Sequence, residues 1–192
     1  MGRDTLKVMG ASNHCDEERA KNDYYGTNPV STKALLEVEK FDTLIWEPCA
    51  GHHLISKVLE DAGYDVETTD LVDYGFGDTQ LNFLEYDGEQ VDCDIVTNPP
   101  YGLATEIAVK ALETVKDGHK VAMFLRTLFL EGTKRYQQLF SKYPPKTVYV
   151  FTNRQVSDKN DDFNKGSAVS YSWFVWIKGY QGPTEIKWIS SK

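Results

Sequence analysis

From "NPVSTKALLEVEK" onward, short apolar runs rich in β-branched residues alternate with longer stretches whose apolar residues recur three and four apart. No other property narrows the possible folds as far. "TLIWE", "YDVETTD", "CDIVTN", "HKVAMFLR" and "KTVYVFT" read as strands, with "HLISKVLEDAG", "LATEIAVKALETVKDG" and "EGTKRYQQLFSKY" as helices among them. Gly63 and Gly118 close the first two of these helices, and Pro144 and Pro145 stop the third. An earlier helix has Pro29 in its first turn, Thr27 or Asn28 as its cap, and Leu35, Leu36 and Val38 on its apolar side. Strands joined through helices run parallel, because each helix carries the chain back to the edge it left. The pattern predicts an α/β fold with a doubly wound, mostly parallel sheet. "SYSWFVWIK" follows "KTVYVFT" with no helical stretch between them, which predicts an antiparallel hairpin near the C-terminus, and "TEIKWIS" adds a last β-rich run.

A length of 192 residues suits one domain, and 41% apolar content with four Trp, eleven Tyr and nine Phe is enough to build its core. Residues 1–21 are polar and aperiodic, so a flexible arm is expected there, followed by a single domain over 22–192. No run approaches the roughly 18 apolar residues of a membrane span, and the N-terminus lacks the apolar segment of a signal peptide. A cytoplasmic location is the expectation. Cys15, Cys49 and Cys93 lie far apart and form no C-x-x-C pair, so they read as free thiols. Of the histidines, only His52 and His53 are adjacent, and neighbours on a helix do not face one side; no metal site is indicated. Trp173, Trp176 and Trp188 read as core or hairpin packing. The net charge of −8 disfavours indiscriminate binding to nucleic acid, yet residues 120–192 hold 12 of the 21 basic side chains and only 5 of the 29 acidic ones. A polyanionic partner, if one binds, would meet that C-terminal third.

In doubly wound sheets, ligands bind beyond the carboxyl ends of the strands near the switch in strand order. Three turns are then singled out: "EPCAGHH", "TDLVDYG" and "NPPYG". In the first, Glu47, Pro48, Ala50 and Gly51 stand between a strand and a helix, where small residues allow close approach to the backbone. In the second, Asp70 ends a strand, a place suited to accepting hydrogen bonds from ribose hydroxyls. In the third, Pro99 and Pro100 forbid helix and lack backbone donors, so the chain leaves the sheet in a stiff extended turn. The Asn98 side-chain carbonyl and the Pro99 carbonyl can accept both protons of one planar amino group. That pairing draws the nitrogen toward tetrahedral geometry and frees its lone pair for an electrophile. Tyr101 supplies a ring on which the heterocycle bearing the amine can stack.

The ordered set "NDYYGTNP", "EPCAG", "TTDLVDYG", "LNFLEYD" and "TNPPYG", with "VAMFLRTLFLEG" and "SYSWFVWIKGY" further on, resembles the S-adenosylmethionine-dependent amino-methyltransferases. It is most similar to small phage- or prophage-type DNA adenine N6-methyltransferase-like proteins, from about residue 22 to the C-terminus. The resemblance implies a Rossmann-like class I methyltransferase fold, S-adenosyl-L-methionine as cofactor, and direct transfer of its methyl group to adenine N6 in DNA. It implies that Tyr24, Tyr25 and Thr27 meet the methionine end of the cofactor, together with Glu47, Pro48, Ala50 and Gly51. Asp70 would hold the ribose, and Asn82 and Phe83 the adenine, although the family usually has Asp where this chain has Asn82. Asn98, Pro99, Pro100 and Tyr101 match the catalytic motif.

One departure concerns His53, which stands where the family usually has a second glycine. Its side chain either crowds the methionine moiety or turns outward from a helix that starts slightly differently. A target adenine must be flipped out of its duplex, with Tyr101 as one wall; Phe163, in the polar loop 152–170, is either the opposing lid or packed on the core. Methylation of RNA bases or of protein glutamine amides, and a non-catalytic DNA-binding or interaction module, are the alternatives. A protein partner is also compatible with the acidic N-terminal part.

Overall fold

In the computed structural model, which describes residues 24–76, 78–164 and 167–192, the apolar runs assemble into one eight-stranded sheet. The arm expected over 1–21 lies outside the described residues, as does Cys15. The chain enters through β1 (Gly26–Thr27) and α1 (Pro29–Val38), then β2 (Leu44–Glu47), α2 (Ser56–Asp61), β3 (Asp65–Asp70) and β4 (Thr79–Gln80). It continues through β5 (Asp94–Thr97), α3 (Ala104–Thr114), β6 (Lys120–Arg126), the short α4 (Thr133–Arg135) and β7 (Thr147–Phe151). The last elements are β8 (Ser157–Asp158), β9 (Tyr171–Ile177) and β10 (Glu185–Ile189).

The strand order is β10-β7-β9-β6-β5-β2-β3-β4. Every neighbouring pair is parallel except those of β9, which runs antiparallel to both β6 and β7. The chain builds outward from β2 to β3 and β4, then returns to place β5 and β6 on the other side. The order therefore reverses between β2 and β5. The antiparallel pair near the C-terminus is β7 with β9, and β9 inserts between β6 and β7, while β10 adds in parallel on the outer side of β7.

Both faces of the central strands are covered, which explains the near-continuous apolar runs of β5, β6 and β9. Along β6, Val121, Met123 and Leu125 pack with α3, whereas Ala122 and Phe124 pack with α1 and α2. Strand β9 repeats the division, Phe174 and Trp176 joining the first core and Trp173 and Val175 the second. Trp173 and Trp176 are fully buried, and their indole N–H groups donate to the Ser31 and Tyr143 carbonyls at 2.8 and 3.0 Å. Trp188 departs from the expected packing: it lies on outer strand β10 and is 70% exposed.

Three local expectations are corrected. Asn28 caps α1, its side chain accepting from the Val30 N–H at 3.2 Å, but the buried side of that helix is Ser31, Thr32, Ala34 and Leu35. Val38, the last residue of that helix, is exposed. The helix expected from residue 53 starts at Ser56, since Gly51 and His53 both have positive φ. The helix expected over 131–143 is α-helical only for Thr133–Arg135 and widens into a π turn over Tyr136–Phe140, in which the Ser141 N–H reaches the Tyr136 carbonyl at 2.8 Å. Within this turn Leu139 is buried and Phe140 packs edge-on against Phe129.

At the amino edge of the sheet, His119 bridges Asp94 (3.1 Å) and Asp92 (2.8 Å), while Asp94 also accepts the backbone N–H groups of Asp42 and Lys120. Desolvation opposes the imidazolium, but the two carboxylates outweigh it and raise the His119 pKa above the ordinary histidine value. The folded state then holds its proton more tightly than the unfolded chain, so the contribution is complete below the ordinary value and is lost as pH rises through the raised one. We expect His119→Ala to cost on the order of 2 kcal/mol at about pH 6, from the charge-assisted hydrogen bond to the buried Asp94. The loss should shrink at about pH 9, as read from urea unfolding at both values.

Candidate functional site

A cavity of about 530 Å³ opens at the carboxyl edge, at the reversal between β2 and β5. This is within the roughly 300–1,000 Å³ usual for small-molecule sites. All three turns singled out above reach it. Of the expected site residues, Tyr24, Tyr25, Thr27, Glu47, Pro48, Ala50, Asp70, Asn82, Phe83, Asn98, Pro99, Pro100 and Tyr101 line it. Gly51 and Phe163 do not.

The turn after β2 is shaped by the buried carboxylate of Glu47, which accepts the Ser56 N–H at 2.8 Å and so fixes where α2 begins. Burial pushes this carboxyl well above the usual range, and the Ser56 hydrogen bonds only partly oppose the shift. Gly51 has φ +52 and lies directly beneath Tyr24, where an added Cβ would come within 2.4 Å of the ring. Glycine is required at that point both by conformation and by space. His53 takes the left-handed conformation a glycine would adopt, with φ +60, and points away from the cavity. Its Nε2 pairs with the Asp78 carboxylate at 2.7 Å, and its ring lies against Phe76. Of the two alternatives for His53, the outward one is realised.

Asp70 at the end of β3 accepts the Gly51 N–H on one oxygen and the Val72 N–H on the other, both at 2.9 Å. Each oxygen keeps a lone pair for a further donor. Asn82 caps a 3₁₀ turn by accepting from the Leu84 N–H at 3.3 Å, and Phe83 is buried edge-on against Trp46.

Asn98 leaves β5 with its amide orientation dictated. Its NH₂ donates to the Tyr25 carbonyl at 2.8 Å and to Thr27 Oγ1 at 2.9 Å. A backbone carbonyl can only accept, so the nitrogen must face residues 25–27. Asn98 Oδ1 is buried and has no hydrogen-bond partner among the described residues. Tyr101 donates to Ser157 Oγ at 3.1 Å, and its ring centroid is 5.4 Å from that of Tyr25.

Residues 157–161 pack against this wall. Strands β1 and β8 form a two-residue antiparallel ladder, and the Asp161 carboxylate accepts from the Tyr24 hydroxyl at 2.8 Å and pairs with His52 Nδ1 at 2.7 Å. Phe163, expected as lid or core residue, is half-buried and outside the cavity wall. The Tyr24–His52–Asp161 cluster has no local signature, because its members are up to 137 positions apart. Leu71, Val72 and Tyr74, which also line the cavity, belong to a turn already singled out; their proximity to Asp70 was the signal.

No family model matches the sequence, and no curated protein matches it either. Solved structures do resemble the fold. A Listeria monocytogenes protein assigned to the class I S-adenosylmethionine-dependent methyltransferases superposes with a TM-score of 0.61 at 11% identity, over 96% of this chain and 69% of the other. A chain assigned as the modification subunit of a type I restriction enzyme from Vibrio vulnificus YJ016 gives 0.60 at 12% identity, over 97% of this chain and 50% of that one. TrmN from Thermus thermophilus gives 0.55 at 18% identity, over 78% and 48%. This chain thus spans about half the length of the latter two. The fold is the Rossmann-like class I methyltransferase fold. Among the described residues no helix is long and apolar enough to cross a membrane.

The raised Glu47 carboxyl has a consequence for stability. Because the folded value lies above the unfolded one, the unfolded chain releases this proton first, and stability falls as pH rises from the ordinary Glu value toward the raised one. Glu47→Gln retains an acceptor for the Ser56 N–H without an ionisation. Its unfolding midpoint should match the parent near pH 4 and equal or exceed it near pH 8, in denaturant melts followed by tryptophan fluorescence.

Proposed function

We propose that this chain transfers a methyl group from S-adenosyl-L-methionine to an exocyclic amine, and that the amine is adenine N6 in DNA. The observation that carries the reading is the buried, unpartnered Oδ1 of Asn98, on a side chain that lines the cavity and whose nitrogen is held by residues 25–27. A buried acceptor left unpaired costs about 1–3 kcal/mol, and an amino group would relieve that cost.

The residues around the cavity fit the cofactor. Asp70 keeps lone pairs for ribose hydroxyls, Asn82 and Phe83, which line the same cavity, would take the adenine, and Tyr24, Tyr25 and Thr27 with the Glu47–Gly51 turn would take the methionine end. His53, which faces Asp78, does not crowd that space. When bound, the cofactor supplies an electrophilic methyl group. Asn98 Oδ1 and the Pro99 carbonyl would accept both protons of the target amine and turn its lone pair outward, while Pro100 holds the turn extended. Tyr101 would stack on the base. A binding module without catalysis drew its support from His53 and Asn82, and the outward turn of His53 removes the stronger of the two.

Isothermal titration with S-adenosylmethionine and S-adenosylhomocysteine, followed by methyl transfer from labelled cofactor to DNA, RNA and protein acceptors, tests the reading. Binding with transfer to adenine-containing DNA is expected; binding with transfer only to RNA or protein would replace the acceptor. Asn98→Ala should lower turnover by on the order of 100-fold or more while still binding S-adenosylhomocysteine. Full activity in that variant would sink the assigned mechanism.

A further inference from the structure

We propose that Arg126 and Lys159, the cations resting on two tyrosines of the cavity wall, contact the phosphates on either side of the target base. The proposal rests on the nucleic-acid reading above and assigns it residues.

Tyr25 and Tyr101 line the cavity, with ring centroids 5.4 Å apart and planes tilted by 35°. The Arg126 guanidinium carbon lies 4.7 Å from the Tyr101 centroid, and Lys159 Nζ lies 5.5 Å from that of Tyr25. Neither cation lines the cavity. Each rests on a tyrosine of the cavity wall without itself lining the cavity.

Both charges are uncommitted. Several basic side chains of the C-terminal third are spent on the fold: Lys120 pairs with Glu39, Lys187 with Glu185, and Arg135 donates to the Phe129 and Glu131 carbonyls. Arg126 is exposed at the carboxyl end of β6, and among the described residues neither it nor Lys159 makes an ion pair or a side-chain hydrogen bond. The acids nearest Lys159 in sequence have other work. Asp158 accepts from the Asn160 and Asp162 N–H groups, and Asp161 holds Tyr24 and His52. With a net charge of −8 the molecule as a whole repels a polyanion, so binding has to come from local cations.

A guanidinium binds a phosphate through two parallel N–H donors and an ammonium binds it as a point charge, so both cations can hold phosphates while the base lies within the cavity.

The test is fluorescence anisotropy of a labelled, adenine-containing single-stranded DNA, which carries no flipping cost, with the full chain and S-adenosylhomocysteine across a salt series. Arg126→Gln and Lys159→Gln should each flatten the slope of log affinity against log salt by about 0.7, and the double variant by about 1.4. Arg126→Lys, which keeps the charge, should keep the parent slope. Loss of packing alone would not move this slope. An unchanged slope in the double variant, or no DNA binding by a parent chain that does bind S-adenosylhomocysteine, overturns the proposal. The expected slopes in a chain that fails to bind S-adenosylhomocysteine support the phosphate contacts and sink the methyl-transfer reading.

Discussion

The Asn98 amide joins three parts of the chain that are remote in sequence. Its nitrogen holds residues 25–27, those residues pair as β1 with β8, and Ser157 of β8 accepts from Tyr101, three residues beyond Asn98. The loop of contacts closes on itself and forms one wall of the cavity. Its oxygen has no hydrogen-bond partner among the described residues. The same side chain thus fixes the wall and supplies the unspent acceptor. Interiors tolerate few such groups, and the cost is carried by the two cores that flank the sheet.

Charge is divided between the two edges of the sheet. At the amino edge, Asp92 and Asp94 are neutralised by His119 and Lys116, and Asp94 also holds two backbone N–H groups, so their role is to fasten β5 and β6. At the carboxyl edge, Glu47 and Asp70 bind backbone N–H groups that shape the turns after β2 and β3. The acidic first part of the chain is therefore largely structural where it meets the sheet. Arg126 and Lys159 rest on tyrosines of the cavity wall and, among the described residues, form no ion pair.

The alternation of apolar runs was legible because a two-sided parallel sheet demands it, and the strands fall within a residue or two of where the runs stand. Helix starts were less legible. Local propensity favours a helix from His53, but the Glu47 carboxylate captures the Ser56 N–H and the preceding residues take positive φ. The region after Thr133 reads as a regular helix, yet it widens into a π turn. Val38 and Trp188 are apolar residues that pattern alone would bury; each sits at the end or the outer side of its element, where no second layer covers it.

The residues by themselves determined a parallel α/β sheet, the three turns at its carboxyl edge, and the chemistry available in "NPPY", because these depend on backbone conformation and on spacing within a few positions. Only the tertiary structure decided which way His53 turns, which acceptor of Asn98 stays unpaired, and which cations stand at the tyrosine wall. The first two depend on partners 25 positions away for His53 and 71 and 73 for Asn98. No local periodicity encodes a contact at such separations; it exists only once the sheet has brought the turns together.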